Sequence, residues 1–141
     1  MTSTADPYAP LRDSGQRYWS RFTPVSSLPA RVAIVTSNGR IGEREVQDMS
    51  LGGLGLALKW RDHRRIDVGE IVHIELAMVG GVPLHLQARP MHMQRRRDGL
   101  FATWSLGLMF ETNLAWQHAK PTMARYLLKL AKQDAMAAAA K

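Results

Sequence analysis

Residues 31–36 read RVAIVT, residues 37–39 read Ser-Asn-Gly and residues 41–47 read IGEREVQ. The first run is β-branched-rich, a composition that fits a pleated, half-buried surface. Asn38-Gly39 between two apolar runs signals a tight hairpin, in which both turn positions favour positive φ. Working outward, residues 48–53 (DMSLGG) carry turn chemistry, and Leu54, Leu56 and Leu58 alternate with Gly55 and Ala57 as a third strand. Residues 60–67 read as a polar loop closed by Val68-Gly69. In residues 71–78, Val72, Ile74 and Leu76 fall on one face and His73 and Glu75 on the other, the period of two expected of a strand. Gly80-Gly81 turns into residues 84–94, where Leu84, Leu86 and Ala88 share a face and Pro90 implies an edge or a bulge. A turn at residues 97–99 leads to a last strand over residues 101–110, with Trp104, Leu106, Leu108 and Phe110 on one face. Six short strands at this spacing predict a mainly β, antiparallel chain, a small barrel or sandwich.

The period changes after Asn113. Met123, Tyr126, Leu127 and Leu130 follow i, i+3, i+4, i+7 and predict a C-terminal α-helix, with Pro121 in its first turn and an Ala-rich end that frays. Residues 1–29 hold Pro7, Pro10, Pro24 and Pro29 and few aliphatics, so they read as an irregular, flexible N-terminal segment ahead of a barrel-plus-helix domain over residues 30–141. Arginines and aromatics are concentrated in that segment: Arg12, Arg17, Arg21, Tyr18, Trp19 and Phe22.

The whole chain has 141 residues, the size of one domain, with 19 Lys+Arg against 12 Asp+Glu and a net charge of +7. The charge points to an anionic partner. No cysteine is present, which excludes disulfides, thiolate metal sites and Cys nucleophiles. No apolar run approaches the 18 or so residues of a membrane span, and no signal-peptide pattern is read at the start, so the expected location is cytoplasmic. HExxH, GxSxG and GxxxxGK[ST] are absent, and the five histidines lack metal-ligand spacing, so neither an enzyme nor a metal site is expected. Arg61, Arg64 and Arg65, and Arg95, Arg96 and Arg97, form two basic groups in segments read as solvated loops.

Two motifs remain. Arg17 and Arg21 form RxxxR in the N-terminal segment, and Asp48, Ser50 and Gly53 form DxSxxG between the second and third strands. RxxxR alone is weak: the chain has 14 arginines, and Arg40/Arg44 and Arg61/Arg65 match it too. DxSxxG is more specific, with about one accidental [DN]xSxxG expected in 25 chains of this composition. The chemistry is coherent. An arginine fork pairs bidentately with phosphate and also matches guanine O6 and N7. Asp48, an acceptor only, can receive guanine N1–H and N2–H₂. Ser50 adds a small hydroxyl, and Gly53 lets backbone turn or approach closely. The plainer reading is that Asp48, Ser50 and Gly53 are ordinary turn formers.

The order of these motifs resembles the PilZ domain, a bacterial receptor module for cyclic di-GMP. In that family RxxxR precedes the first strand, [DN]xSxxG enters the third, and a G-aliphatic-x-F strand, here Gly107-Leu108-Met109-Phe110, closes the barrel before a C-terminal helix. The resemblance covers roughly residues 15–130. It implies a six-stranded antiparallel β-barrel with a C-terminal α-helix, cyclic di-GMP as ligand, no further cofactor, and Arg17, Arg21, Asp48, Ser50 and Gly53 as binding residues. Gln16 stands where members often carry an extra arginine, and Arg12 lies farther back; both are candidate additional contacts. Arg89 keeps the arginine of the family's fifth-strand pattern, whose aromatic is missing here; His92 is the candidate in its place. The expected protein is a monomer or weak homodimer that orders its N-terminal segment on the nucleotide and alters contacts with an effector protein in motility, exopolysaccharide or virulence control. Nucleic acid is not the expected partner. The alternatives are a basic adaptor or nucleic-acid-binding barrel, and a degenerate PilZ domain acting through protein contacts alone.

Overall fold

A computed structural model describes residues 6–13, 19–59, 61–98 and 101–140. The strands are β1 (Ala30–Thr36), β2 (Gly39–Met49), β3 (Gly53–Leu58), β4 (Val72–Met78), β5 (Leu84–Asp98) and β6 (Phe101–Phe110), followed by helix α1 (Leu114–Ala139). Each strand pairs antiparallel with its neighbours in the order β1-β2-β3-β6-β5-β4, and β4 pairs back onto β1, so the sheet closes into a six-stranded barrel. Closure removes the open sheet edges around the barrel, although β5 and β6 run on past it as a pair. Val32, Ile34, Ile41, Leu54, Leu56, Leu76, Leu106 and Phe110 fill the interior from all sides. Met123, Leu127 and Leu130 of α1 are buried in the same core, as the helical spacing predicts.

Several boundaries differ from the sequence reading. The pair Thr36↔Gly39 puts Ser37 and Asn38, not Asn38 and Gly39, at the centre of the first turn. Among described non-glycine residues none has positive φ, and Gly39 alone in this turn does, at +131°. Thr36 Oγ1 accepts from Asn38 N at 3.0 Å, which braces the turn in place of an Asn in the left-handed region. The strand β2 runs on through Asp48, so Asp48 belongs to a strand rather than to the turn. Pro90 behaves as expected, with a register shift between Pro90 and His92. Arg95, Arg96 and Arg97 lie in strand β5, paired with Trp104, Thr103 and Ala102. Pro121 lies inside α1 rather than in its first turn, because Asn113 caps the helix earlier by accepting from Trp116 N at 3.1 Å.

The described part of the N-terminal segment lies along the barrel. Leu11 is fully buried in the core cluster. Ser20 N donates to Leu11 O at 2.8 Å, and Phe22 exchanges two backbone bonds with Met49 at 2.8 and 2.9 Å. This strap delivers residues 19–22 to the end of β2, beside DxSxxG.

Candidate functional site

The turn between β2 and β3 is stitched on every side. Ser50 N donates to Gly53 O at 2.9 Å, and Phe110 N donates to Gly52 O at 2.9 Å. Ser50 Oγ accepts from Gly52 N at 3.1 Å, and Ser50 is only 4% exposed. Its hydroxyl therefore shapes the turn. Trp116 Nε1 donates to Leu51 O at 2.9 Å, tying the first turns of α1 to the same loop. Gly53 has a packing reason to be glycine: a Cβ there would collide with the carbonyl oxygen of Leu108, where β3 and β6 approach closely. Gly107 has a comparable role, since a Cβ there would run into the His92 ring.

These elements form one wall of an open cleft of about 600 Å³, within the roughly 300–1,000 Å³ range of small-molecule sites. Ser50, Gly52, Gly53, His92 and Gly107 line that wall, and Trp19 and Arg21 of the strap line the other. Arg21 Nη1 donates to Asp48 Oδ1 at 2.7 Å. The second arginine of RxxxR thus meets the aspartate of DxSxxG across 27 residues of sequence. Their side chains are 53% and 42% exposed. A pair so wetted stabilises by only about 0.2–1 kcal/mol, so it orients the fork without locking it.

The other sequence candidates divide. Arg17 and Gln16 lie outside the described residues. Arg12 is placed beside the cleft rather than in it: its guanidinium sits 4.2 Å over the Trp19 ring and its Nε donates to Asp6 Oδ2 at 2.7 Å. Arg12, with the Tyr8 backbone N–H, holds the Asp6 carboxyl below the usual carboxylate range. Arg89 is engaged elsewhere, donating to Glu111 Oε1 at 2.9 Å and Gly69 O at 2.8 Å. Glu111, however, lines the cleft. Sequence reasoning missed Met91 and Met109, exposed at the cleft on β5 and β6. It also missed Lys120, whose ammonium sits 4.1, 5.3 and 5.0 Å from the ring centroids of Tyr8, Trp19 and Trp116. The four-residue step from Trp116 to Lys120 along α1 was the available signal.

The PilZ domain family model matches residues 15–128. The chain belongs to the PilZ domain family. PilZ domains are cyclic di-GMP receptor modules rather than enzymes. The barrel is similar to the PilZ domain of YcgR from Escherichia coli, solved with c-di-GMP, at TM-score 0.59 and 20% identity over 91% of this chain and 99% of that one. It is also similar to the K. pneumonia MrkH–c-di-GMP complex, at TM-score 0.67 and 15% identity over 84% of this chain and 55% of that one. Borreliella burgdorferi PlzA in complex with c-di-GMP matches at TM-score 0.51 and 10% identity, over 86% and 52%. This chain spans about half the length of MrkH. A comparison with curated proteins returns no match. No helix among the described residues is long and apolar enough to cross a membrane, and no group of His, Cys, Asp or Glu among them could hold a metal ion.

Proposed function

We propose that this PilZ domain binds cyclic di-GMP in the cleft between the strap and the turn of DxSxxG. The carrying observation is the 2.7 Å contact that joins the two motifs, between Arg21, which lines the cleft, and Asp48, which is not itself among the lining residues. Asp48 presents an acceptor for guanine N1–H and N2–H₂, and Arg21 presents a fork for phosphate or for guanine O6 and N7. Arg17 supplies the second fork, clamping one nucleotide from two sides. Ser50 and Gly53 hold the turn to which Asp48 leads, and Gly107 lets the His92 ring lie against β6 as an apolar face for a base. Gln16 and Arg12 add polar contacts at the strap, and Arg89 acts through Glu111.

The signal leaves through the strap. A ligand phosphate competes for Arg21, the exposed ion pair with Asp48 yields, and residues 19–22 reset against the barrel. That changes the surface offered by Trp19 to an effector protein. Calorimetric titration with cyclic di-GMP tests the binding. Arg17→Ala and Arg21→Ala should each weaken it by on the order of 2–3 kcal/mol, the cost of removing one partner of a charge-assisted contact. Affinities within twofold of wild type would overturn the assignment.

A further inference from the structure

The two basic groups that look separate in sequence are neighbours in space. β4 pairs with β5 only as far as Ala88, and β3 pairs with β6 only as far as Trp104. Beyond those points β5 and β6 have only each other, so residues 95–98 and 101–104 extend as a two-stranded arm. Arg95, Arg96 and Arg97 are exposed along it. The short 3₁₀ helix Asp62–Arg65 docks at the arm's base, where the His63 ring stacks on Trp104 at 4.4 Å and 18°. Arg95 is the cross-strand partner of Trp104. The His63–Trp104 stack thus brings the backbone segment of Arg61 and Arg64 to the foot of an arginine-bearing ribbon, while Arg65 Nη1 donates to Arg40 O at 2.8 Å.

The charge is concentrated here. Residues 61–65 and 95–97 hold six of the 19 cations and one of the 12 acids, so they supply five of the seven net positive charges. That acid, Asp62, is 5% exposed and faces inward, accepting from Arg44 Nε at 3.0 Å and Lys59 N at 2.9 Å. Neither segment contributes to the exposed large hydrophobics among the described residues. A surface whose described residues are dominated by arginine fits a polyanion better than the apolar core of a protein–protein interface. Arginine forks on a two-stranded ribbon fit phosphates flanking a major groove, which is wide enough to admit such a ribbon.

We infer that the arm formed by β5 and β6, with the 3₁₀ helix at its foot, is a second binding surface, and that its ligand is duplex nucleic acid held through backbone phosphates. It is independent of the nucleotide cleft: no arginine of either segment lines that cleft.

The test is fluorescence anisotropy of a labelled mixed-sequence DNA duplex without cyclic di-GMP, over a salt series. Neutralising four to six phosphates predicts a log–log slope of about −4 to −5. Arg95→Gln/Arg97→Gln should make the slope shallower by about 2 and lower affinity at least tenfold at low salt. Arg64→Gln should make it shallower by about 1, and decides the matter if the double variant fails to fold. Absence of binding by the wild type at low salt overturns the inference, as does an unchanged slope in variants with native circular dichroism. Equal binding at equal charge to polyglutamate or to anionic-lipid vesicles also overturns it. Calorimetry with cyclic di-GMP on the same variants should be unchanged. A protein that binds duplex but not the dinucleotide leaves this inference standing and removes the cleft assignment.

Discussion

The two walls of the cleft are made of different things. On the barrel side, Ser50, Gly52 and Gly53 are held by backbone hydrogen bonds to one another and to β6, and the strands behind them are packed with buried Leu54, Leu108 and Phe110. On the strap side, Trp19 and Arg21 are held by an exposed ion pair, by cations over an aromatic face and by a few backbone bridges. The first wall draws on the stability of the whole barrel. The second draws on contacts individually worth about a kilocalorie or less when wetted. A ligand can therefore displace the strap at low cost, whereas moving the turn means opening the sheet.

The sharpest way to break the barrel wall is Gly53→Ala. The added methyl meets the Leu108 carbonyl, a backbone atom with no rotamer to yield, so β3 must part from β6. We expect a loss of about 3 kcal/mol, at the upper end of overpacking costs. Gly107→Ala provides the contrast, since the atoms nearest its methyl are all in the exposed His92 ring, which can swing away. It should cost less than about 1 kcal/mol in stability and weaken cyclic di-GMP binding. Urea denaturation of both variants reads the difference. Equal losses would show that the two glycines serve the same purpose.

Leu11 blurs the contrast, because it is the point where the strap enters the core. Leu11→Ala should destabilise the fold by about 2–3 kcal/mol, the low end for a buried leucine because a short segment near the terminus can relax. Thermal unfolding that does not move would mean that the strap and barrel unfold separately.

What could be read from the sequence follows the same division. The barrel was legible because alternation marks each strand locally, and Pro90 announced its bulge. Arg95, Arg96 and Arg97 read as loop in the sequence because a charged run lacks an apolar face; only pairing with Trp104, Thr103 and Ala102 makes them a strand. Asp48 was identified as a candidate from its motif, but its position at the end of β2, facing Arg21, depends on a contact 27 residues away. In the cluster of Tyr8, Trp19, Trp116 and Lys120, only the four-residue step from Trp116 to Lys120 is a local pattern; the contacts to Tyr8 and Trp19 span about 100 residues of sequence.

A smaller effect probes how α1 holds the segment leading into β1. Tyr126 Oη donates to Leu28 O at 2.6 Å, and burial pushes the phenol up to about 12. Tyr126→Phe should cost about 1 kcal/mol. Because the phenol is held neutral in the folded state, its contribution is complete below the ordinary tyrosine pKa near 10. It is lost as pH rises from there through 12. Wild-type stability should fall over that window more steeply than that of the variant. Parallel curves would remove the linkage.

The smallest effect lies at the strap's outer end. Asp6 accepts from Arg12 Nε and from Tyr8 N, and these bonds lower its pKa. A carboxyl held below its ordinary value favours the folded arrangement above the unfolded pKa near 4, and that contribution disappears as pH falls through the lowered value. Asp6 is exposed and lies outside the core, so Asp6→Asn should leave global melting unchanged. The effect should be local, because Asp6 fixes Arg12, and Arg12 covers Trp19 on the strap side of the cleft. Amide exchange at residues 8–12 should quicken in Asp6→Asn at neutral pH, and the wild type should converge on the variant as the solution is acidified. Exchange at residues 50–53 should be the same in both proteins at every pH. A change at residues 50–53 would mean that the two walls are mechanically one.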